Sequence, residues 1–165
     1  MWLSEQAVKT ALLVLIAVLL SSCGIRLQDA VKYPDALAIT YIETADRYTE
    51  FYRGLRESLQ QGGVDVVDSV VAASAVIRIE DDRTGQTVLT VSGRNVPTEY
   101  DVYYSVRYSV QVDGVEVLPT RTLVKRQDYT YDSARVLGKQ REEQMLREAI
   151  ARELVRQVSQ QLSRL

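Results

Sequence analysis

The chain has 165 residues, 46% of them hydrophobic, and its 20 lysines and arginines nearly balance 22 aspartates and glutamates, for a formal charge of −2. This balance argues against a broad nucleic-acid surface, which would require a strongly basic domain. The sequence contains no histidine, which excludes Ser–His and Cys–His nucleophile pairs and removes the most common zinc ligand.

The N-terminal segment has the pattern of an export signal. The apolar run from Ala11 to Leu20 suits the hydrophobic region of a signal peptide and is too short to span a bilayer, for which a helix needs about 20 residues. It leads into Ser21-Ser22-Cys23, and Cys23 is the only cysteine. Small residues before a single cysteine resemble the lipobox of bacterial lipoproteins. The resemblance implies cleavage before Cys23 and a lipid on its thiol; the alternatives are a transmembrane helix and a free cysteine.

The predicted lipidation divides the chain into two parts. Residues 1–22 form a lipoprotein signal peptide, and residues 23–165 form a single domain of ordinary size. Covalent lipid on Cys23 anchors the domain to a membrane in this interpretation, and no other cofactor is indicated. In lipoproteins an aspartate directly after the lipidated cysteine favours retention at the inner membrane. Gly24 in that position therefore favours the outer membrane, with the domain on its periplasmic side.

The first half of the domain is predicted to contain a strand and a helix. The short apolar stretch from Ala36 to Ile42 predicts the strand. Asp46 can cap a helix that runs to Gln61, because apolar residues recur there every three or four positions, and Gly62-Gly63 can end it. The predicted core face of this helix consists of Tyr48, Phe51, Tyr52, Leu55 and Leu59.

Four β segments follow, and the short turns between them predict mostly antiparallel pairing. The clearest strand is Tyr100–Val112, in which apolar and polar residues alternate strictly, so that one face packs on the core. Asp81–Gly85 predicts a hairpin loop, and Asp113-Gly114 predicts a tight turn. The remaining segments are Val64–Val71 leading into Ala75–Ile79, Gln86–Arg94, and Val115–Asp128, which Pro119 interrupts.

The chain ends in a long amphipathic helix from about Lys139 to Arg164. Its apolar stripe has four-residue steps and consists of Leu146, Ile150, Leu154, Val158 and Leu162. The order of the elements predicts an α+β fold, with two helices packed on one face of a mixed, mainly antiparallel sheet of four to five strands.

Two pairs of carboxylates, Asp81-Asp82 and Asp65 with Asp68, are the candidates for an envelope hydrolase. Acidic residues are common in turns, and nothing in the sequence indicates a neighbour that would raise the pKa of either pair. We therefore do not predict an enzyme.

Five segments of the domain form an ordered set. They are Cys23–Leu27 at the predicted lipidated N-terminus, Arg94–Tyr100 before the longest predicted strand, and Arg126–Tyr129, Leu137–Lys139 and Glu143–Met145 near the last helix. In this order, and over nearly the whole mature chain, they resemble the LptE family of lipopolysaccharide-assembly lipoproteins. One departure is the end of the chain at Leu165 without the polar tail that some relatives carry.

The resemblance implies an outer-membrane lipoprotein that plugs the lumen of a large β-barrel, LptD, helps it assemble and binds lipopolysaccharide. Arg94 and Lys139 match two basic residues of the family that are important for lipopolysaccharide binding, and cations suit the phosphates of lipid A. Tyr103 and Arg107, on the polar face of the predicted strand, are candidate contacts with the barrel. The alternative is an accessory lipoprotein of another envelope lipid-transport complex.

Overall fold

The computed structural model describes residues 31–130 and 136–165, with side chains at all of these except residues 136–140. The predicted signal peptide and Cys23 lie outside the described residues. Two helices pack on one face of a five-stranded sheet, which confirms the predicted α+β fold. The helices are α1 (Glu50–Gln61) and α2 (Val136–Leu162), and the strands are β1 (Ile39–Glu43), β2 (Asp65–Val67), β3 (Ala75–Val91), β4 (Pro97–Val112) and β5 (Val115–Thr130).

The sheet is mixed, with the strand order β2-β1-β3-β4-β5. The short strand β1 pairs in parallel with β2 and with β3, and α1 makes the crossover from β1 to β2. The three long strands pair antiparallel through two hairpins. Within the described ranges, neither helix is long and apolar enough to cross a membrane.

The three long strands extend well beyond the two short ones. Glu43 at the end of β1 pairs with Arg78, and from that level β3, β4 and β5 continue alone. We call residues 79–91, 97–108 and 121–130 the arm. The hairpin at residues 88–96 is the tip of the arm. The base is the opposite end of the sheet, where Ala75 pairs with Val112. At about 3.3 Å per residue, the arm is about 40 Å long.

The core lies between the helices and the even-numbered side chains of β4. These side chains are buried from Val102 to Val110, as the strict alternation of that strand predicts. Tyr108 is fully buried, its hydroxyl donates to Gln161 of α2, and burial raises the pKa of Tyr108 to about 12. The helices contribute Phe51, Leu55 and Leu59 from α1 and Ile150, Leu154, Val158 and Leu162 from α2.

Helix α1 begins later than predicted. The Thr49 hydroxyl accepts a hydrogen bond from the Tyr52 amide at 3.1 Å and is the N-cap, so the helix starts at Glu50. Asp46 instead accepts from the Tyr48 amide at 2.7 Å and closes a turn ahead of the helix. The predictions for Asp46 and Tyr48 were therefore wrong, and Tyr48 is 85% exposed. The other four predicted core residues of α1 are buried.

The end of α1 contacts the first described residues of the chain. The Gly62 backbone lies so close to them that a Cβ atom there would be 2.4 Å from the Val31 carbonyl oxygen. The Tyr33 hydroxyl lies 2.9 Å from Ser58 Oγ, which in turn lies 2.9 Å from Ser159 Oγ of α2. This chain of hydroxyl groups fixes the N-terminal residues of the domain to both helices at the base.

Several predicted strand boundaries were also wrong. The stretch predicted as a strand from Ala36 begins as a 3-10 turn, Asp35–Leu37, and β2 ends at Val67, before a second 3-10 turn. Asp81–Gly85 is not a hairpin loop but lies inside β3, directly after a bulge at Glu80. The hairpin between β3 and β4 is at the tip instead, where Asn95 has a φ of +60°.

The β4–β5 hairpin has the predicted turn at Asp113-Gly114, both with positive φ. Pro119 does not interrupt β5. The pairing with β4 is irregular between Leu118 and Arg121, and an irregular stretch of an edge strand tolerates a residue without a backbone N–H.

Candidate functional site

One face of the sheet is free of helices, and we call it the open face. It carries the odd-numbered residues of β4, which alternate with the core residues. Four arginines near this face each pair with a carboxylate, at N–O distances of 2.7–3.0 Å. Exposed pairs of this kind contribute little to stability, but together they give the face a polar surface on which opposite charges are matched. The pairs are Arg78–Glu43, Arg83–Asp81, Arg107–Glu80 and Arg126–Asp101.

Tyr103, a predicted partner contact, lies flat on the open face. A Cβ atom at Gly85, its neighbour on β3, would be 2.7 Å from the Tyr103 hydroxyl. On the other side, the Arg126 guanidinium lies 5.4 Å from the centre of the Tyr103 ring, within the range of a cation–π contact. Arg126 also donates to Asp101 at 2.7 Å. Gly85, Tyr103 and Arg126 thus form one ordered patch across three strands.

Arg107, the second predicted partner contact, is also held in place across three strands. Its Nε donates to Glu80 of β3 at 3.0 Å, and Glu80 accepts a second hydrogen bond from the Thr120 hydroxyl of β5 at 2.8 Å. The structure therefore brings Tyr103 and Arg107 to one face of the arm, as the alternation of β4 predicts.

The predicted lipopolysaccharide contacts lie at the far end of the arm. Arg94 is exposed in the turn of the tip. The last residue of β5, Thr130, pairs with Glu99 near the tip, and α2 begins six residues later at Val136. The backbone thus brings Lys139, in the first turn of α2, to the same end of the arm as Arg94.

Asp82, which was predicted to lie in a loop, forms hydrogen bonds at the start of α1. Asp82 accepts hydrogen bonds from the Thr49 hydroxyl at 2.6 Å and from the Tyr104 hydroxyl at 2.7 Å. The Tyr104 oxygen in turn accepts from the Phe51 amide at 3.3 Å. Burial raises the pKa of Asp82 above its ordinary value of 3.8, against the opposing effect of these two hydrogen bonds. Burial, together with the bond to Asp82, also raises the pKa of Tyr104.

The raised pKa of Asp82 predicts how the stability of the protein depends on pH. The folded state binds a proton at Asp82 more readily than the unfolded chain does, so the contribution of Asp82 to the free energy of unfolding increases as the pH falls through its folded pKa toward 3.8. In urea titrations between pH 7 and pH 4, the wild-type protein should gain stability relative to Asp82→Asn. Asp113→Asn removes an exposed carboxylate in the β4–β5 turn, away from Asp82, and should keep the wild-type profile. An unaltered profile in Asp82→Asn would contradict the assignment.

The carboxylate pairs considered for a hydrolase do not form a site. Asp81 pairs across the sheet with Arg107 and Asp82 with Val106, so their side chains point to opposite faces. Asp68 forms ion pairs with Arg47 and Arg56 at 3.5 and 3.8 Å. Among the residues with described side chains, no cluster of three or more acidic, cysteine or histidine groups could hold a metal ion.

A groove of about 430 Å³ between the helices is also unlike a hydrolytic or lipid site. Its walls include carboxylates from both helices, Glu50, Glu57 and Glu148, together with Arg53 and Arg152. The mixed charge fits neither an acidic cleft nor a basic groove for a lipid headgroup. The open face of the sheet and the tip of the arm are therefore the candidate functional surfaces.

These features define a small α+β domain with a long β arm. A family model described as lipopolysaccharide-assembly, LptE, matches residues 37–162. The chain belongs to this LptE family of lipopolysaccharide-assembly lipoproteins.

Individual relatives are similar over most of the chain. The LPS-assembly lipoprotein LptE of Yersinia enterocolitica is 27% identical over 155 residues, which cover 93% of this chain and 72% of the relative. The LPS-assembly lipoprotein LptE of Yersinia pestis is 24% identical over 154 residues, which cover 93% of this chain and 74% of the relative.

Solved structures of lipoproteins have the same fold. The crystal structure of the rare lipoprotein B from Shewanella oneidensis aligns with a TM-score of 0.65 at 25% identity, covering 74% of this chain and 92% of that chain. The solution structure of lipoprotein B from Nitrosomonas europaea aligns with a TM-score of 0.70 at 22% identity, covering 85% of this chain and 90% of that chain.

Proposed function

We propose that this protein is an outer-membrane lipoprotein, anchored on the periplasmic side through lipid on Cys23, that occupies the lumen of an LptD-type β-barrel and helps that barrel assemble. It binds lipopolysaccharide through Arg94 and Lys139 during delivery to the outer leaflet. The main support is the open face of the sheet, where arginines are paired with carboxylates from the level of Arg78 to that of Asp101. Membership of the LptE family supports the same role.

The open face suits the wall of a water-filled lumen. A barrel that conducts polar material has a polar interior, so its occupant needs a surface that remains hydrated or forms hydrogen bonds. Tyr103 and Arg107 are ordered by contacts within the sheet, which reduces the entropy lost when a partner binds. Enclosure by a barrel would bury more surface than a standard interface of about 1,600 Å², so the complex should be stable.

Photo-crosslinking from the arm tests this proposal. A photo-reactive amino acid at Tyr103, Arg107 or Lys139 of the full-length protein in cells should capture one large outer-membrane barrel. Glu116, an exposed residue near the base, is the control position and should give a weaker adduct, because the base lies nearest the periplasm. Depletion of the protein should also lower the folded level of the captured barrel.

The outcome also separates the proposal from its alternative. Adducts that contain only periplasmic or inner-membrane transporter subunits would contradict the barrel-plug function. They would instead indicate an accessory lipoprotein of another envelope lipid-transport complex.

A further inference from the structure

The tip of the arm exposes four aliphatic side chains that lie close together in the sequence. Val88, Leu89, Val91 and Val96 are 43–54% exposed, and all four lie within nine consecutive residues. Single apolar residues at a surface are normal, but four exposed ones at the end of one hairpin indicate a contact surface.

Two register shifts in β3 distribute these side chains around the hairpin. Val88 pairs with Tyr100 and Thr90 with Glu99, so Leu89 is an extra residue in a bulge, and a second irregularity follows between Thr90 and Val91. A bulge redirects the side chains next to it. The aliphatic residues of the tip are therefore not confined to the face that α2 covers.

The polar groups of the tip are largely satisfied within the hairpin. The Ser92 amide donates to the Val96 carbonyl at 2.8 Å, and the Asn95 amide donates to the Ser92 carbonyl at 2.9 Å. The Thr90 hydroxyl donates to Glu99 at 2.7 Å. A segment can contact hydrocarbon at low cost only when its polar groups are bonded internally in this way.

The positive charge of the tip favours binding of an anionic amphiphile. Residues 83–98 contain no aspartate or glutamate, and the two charged residues among them are Arg83 and Arg94. The hairpin at the base has the opposite character, because Asp113 and Glu116 flank its exposed valine, Val115. Aliphatic side chains around a single turn arginine complement a molecule with both a phosphate and acyl chains.

We propose that the tip binds the acyl chains of the lipopolysaccharide molecule, with Leu89 and Val91 against hydrocarbon and Arg94 at the phosphate. This inference rests on the proposed function and extends it from the charged part of the ligand to its hydrophobic part. The tip thus covers acyl chains that would otherwise be exposed to water when the ligand leaves a bilayer.

Photo-crosslinking of the full-length protein in cells tests the contact directly. Benzoylphenylalanine, which inserts into C–H bonds, is placed at Leu89. The matched control position is Val115, a 64% exposed valine at the start of β5 that pairs with Val112 at the base. Irradiation should give a lipopolysaccharide adduct at position 89 at least ten times stronger than at position 115. Mass spectrometry of the adduct should place the new bond on an acyl carbon.

An equilibrium measurement separates this inference from the proposed function. Binding of labelled lipopolysaccharide to the purified full-length protein should weaken about tenfold in the double variant Leu89→Ser, Val91→Ser and remain unchanged in Val115→Ser, Val117→Ser. Wild-type affinity in the tip variant, without an adduct at position 89, would overturn the inference and leave the proposed function intact. An adduct at position 89 with protein alone would also overturn it. Failure of the wild-type protein to bind lipopolysaccharide would overturn the ligand-binding part of the proposed function, and this inference with it.

Discussion

Replacement of Cys23 by alanine is expected to abolish acylation and leave an uncut precursor held by its signal segment. Processing of this kind requires the thiol, and the chain has no second cysteine that could substitute for it. Two or three acyl chains at about 0.8 kcal/mol per buried methylene give stable anchoring, whereas one chain is marginal. The variant should therefore lose all label from a palmitate analogue supplied to growing cells.

The control for this experiment is Ser22→Ala, which keeps a small residue ahead of the cysteine and should still be labelled and cut. Absence of label in the wild-type protein would contradict the lipoprotein assignment itself. Loss of label in Cys23→Ala with normal cleavage would show that the signal is read by a different peptidase.

The proposed lipid anchor on Cys23 would also limit the distance between the domain and the membrane. Seven residues separate Cys23 from Val31, and the eight Cα–Cα steps between these two residues span at most about 28 Å. Val31 and Tyr33 contact the end of α1 at the base. With lipid on Cys23, as proposed, the base would remain close to the membrane surface, and the arm, about 40 Å long, would carry the tip away from the point of attachment.

The sequence predicted the elements whose patterns are local. The alternation in β4 identified both its buried and its open face, and the three- and four-residue spacing in α1 identified Phe51, Tyr52, Leu55 and Leu59 as core residues. The turn at Asp113-Gly114 was predicted from its residue types alone, because positive φ favours Gly and Asp. These features depend on neighbouring residues and need no knowledge of the tertiary structure.

The sequence could not predict contacts between distant segments. Asp82 was assigned to a loop, since an acidic run with a glycine is typical of turns. It lies in β3 instead, where it pairs with Val106 and accepts hydrogen bonds from Thr49 and Tyr104. Gly85 likewise indicated a turn, but it makes room for the Tyr103 ring of the adjacent strand. Asp46 was predicted as the cap of α1, but the hydrogen bond from the Tyr52 amide shows that Thr49, three residues later, is the cap.

The proposed functional residues also differ in how far the sequence could predict them. Tyr103 and Arg107 followed from the alternation of β4, whereas Arg94 and Lys139 came only from the family resemblance. Their proximity to one end of the arm depends on the pairing of Thr130 with Glu99, which no local pattern indicates. The aliphatic tip was missed, because Val88, Leu89 and Val91 are ordinary strand residues in sequence and are distinguished only by their exposure.

The double variant Arg94→Asp, Lys139→Asp is expected to weaken lipopolysaccharide binding by more than tenfold while the fold remains intact. A hydrogen bond to a charged group contributes about 1.5–3 kcal/mol, and each 1.4 kcal/mol corresponds to a factor of ten in affinity. Reversal of the charge adds repulsion from the phosphates, so the loss should exceed that of the corresponding alanine variants. Arg94 is exposed in a turn, so its replacement removes no core contact.

Net charge must be controlled in this measurement, because exposed charges also act at a distance at low ionic strength. Lys32→Asp with Arg164→Asp changes the net charge by the same amount at two exposed positions near the base, and it should leave the affinity within about twofold. Binding is measured with labelled lipopolysaccharide at physiological salt, and circular dichroism checks the fold. Equal losses in the two double variants would indicate a long-range effect of charge instead of a site at the tip.

The two single variants then show whether the cations act on one ligand group. If Arg94 and Lys139 contact the same phosphate, the loss in the double variant should differ from the sum of the single losses, because each substitution alters the environment of the other. Contacts with separate phosphates should give additive losses. Native circular dichroism with unchanged affinity in all three variants would place the ligand site elsewhere on the domain, and the aliphatic tip would then have no cation beside it to select an anionic lipid.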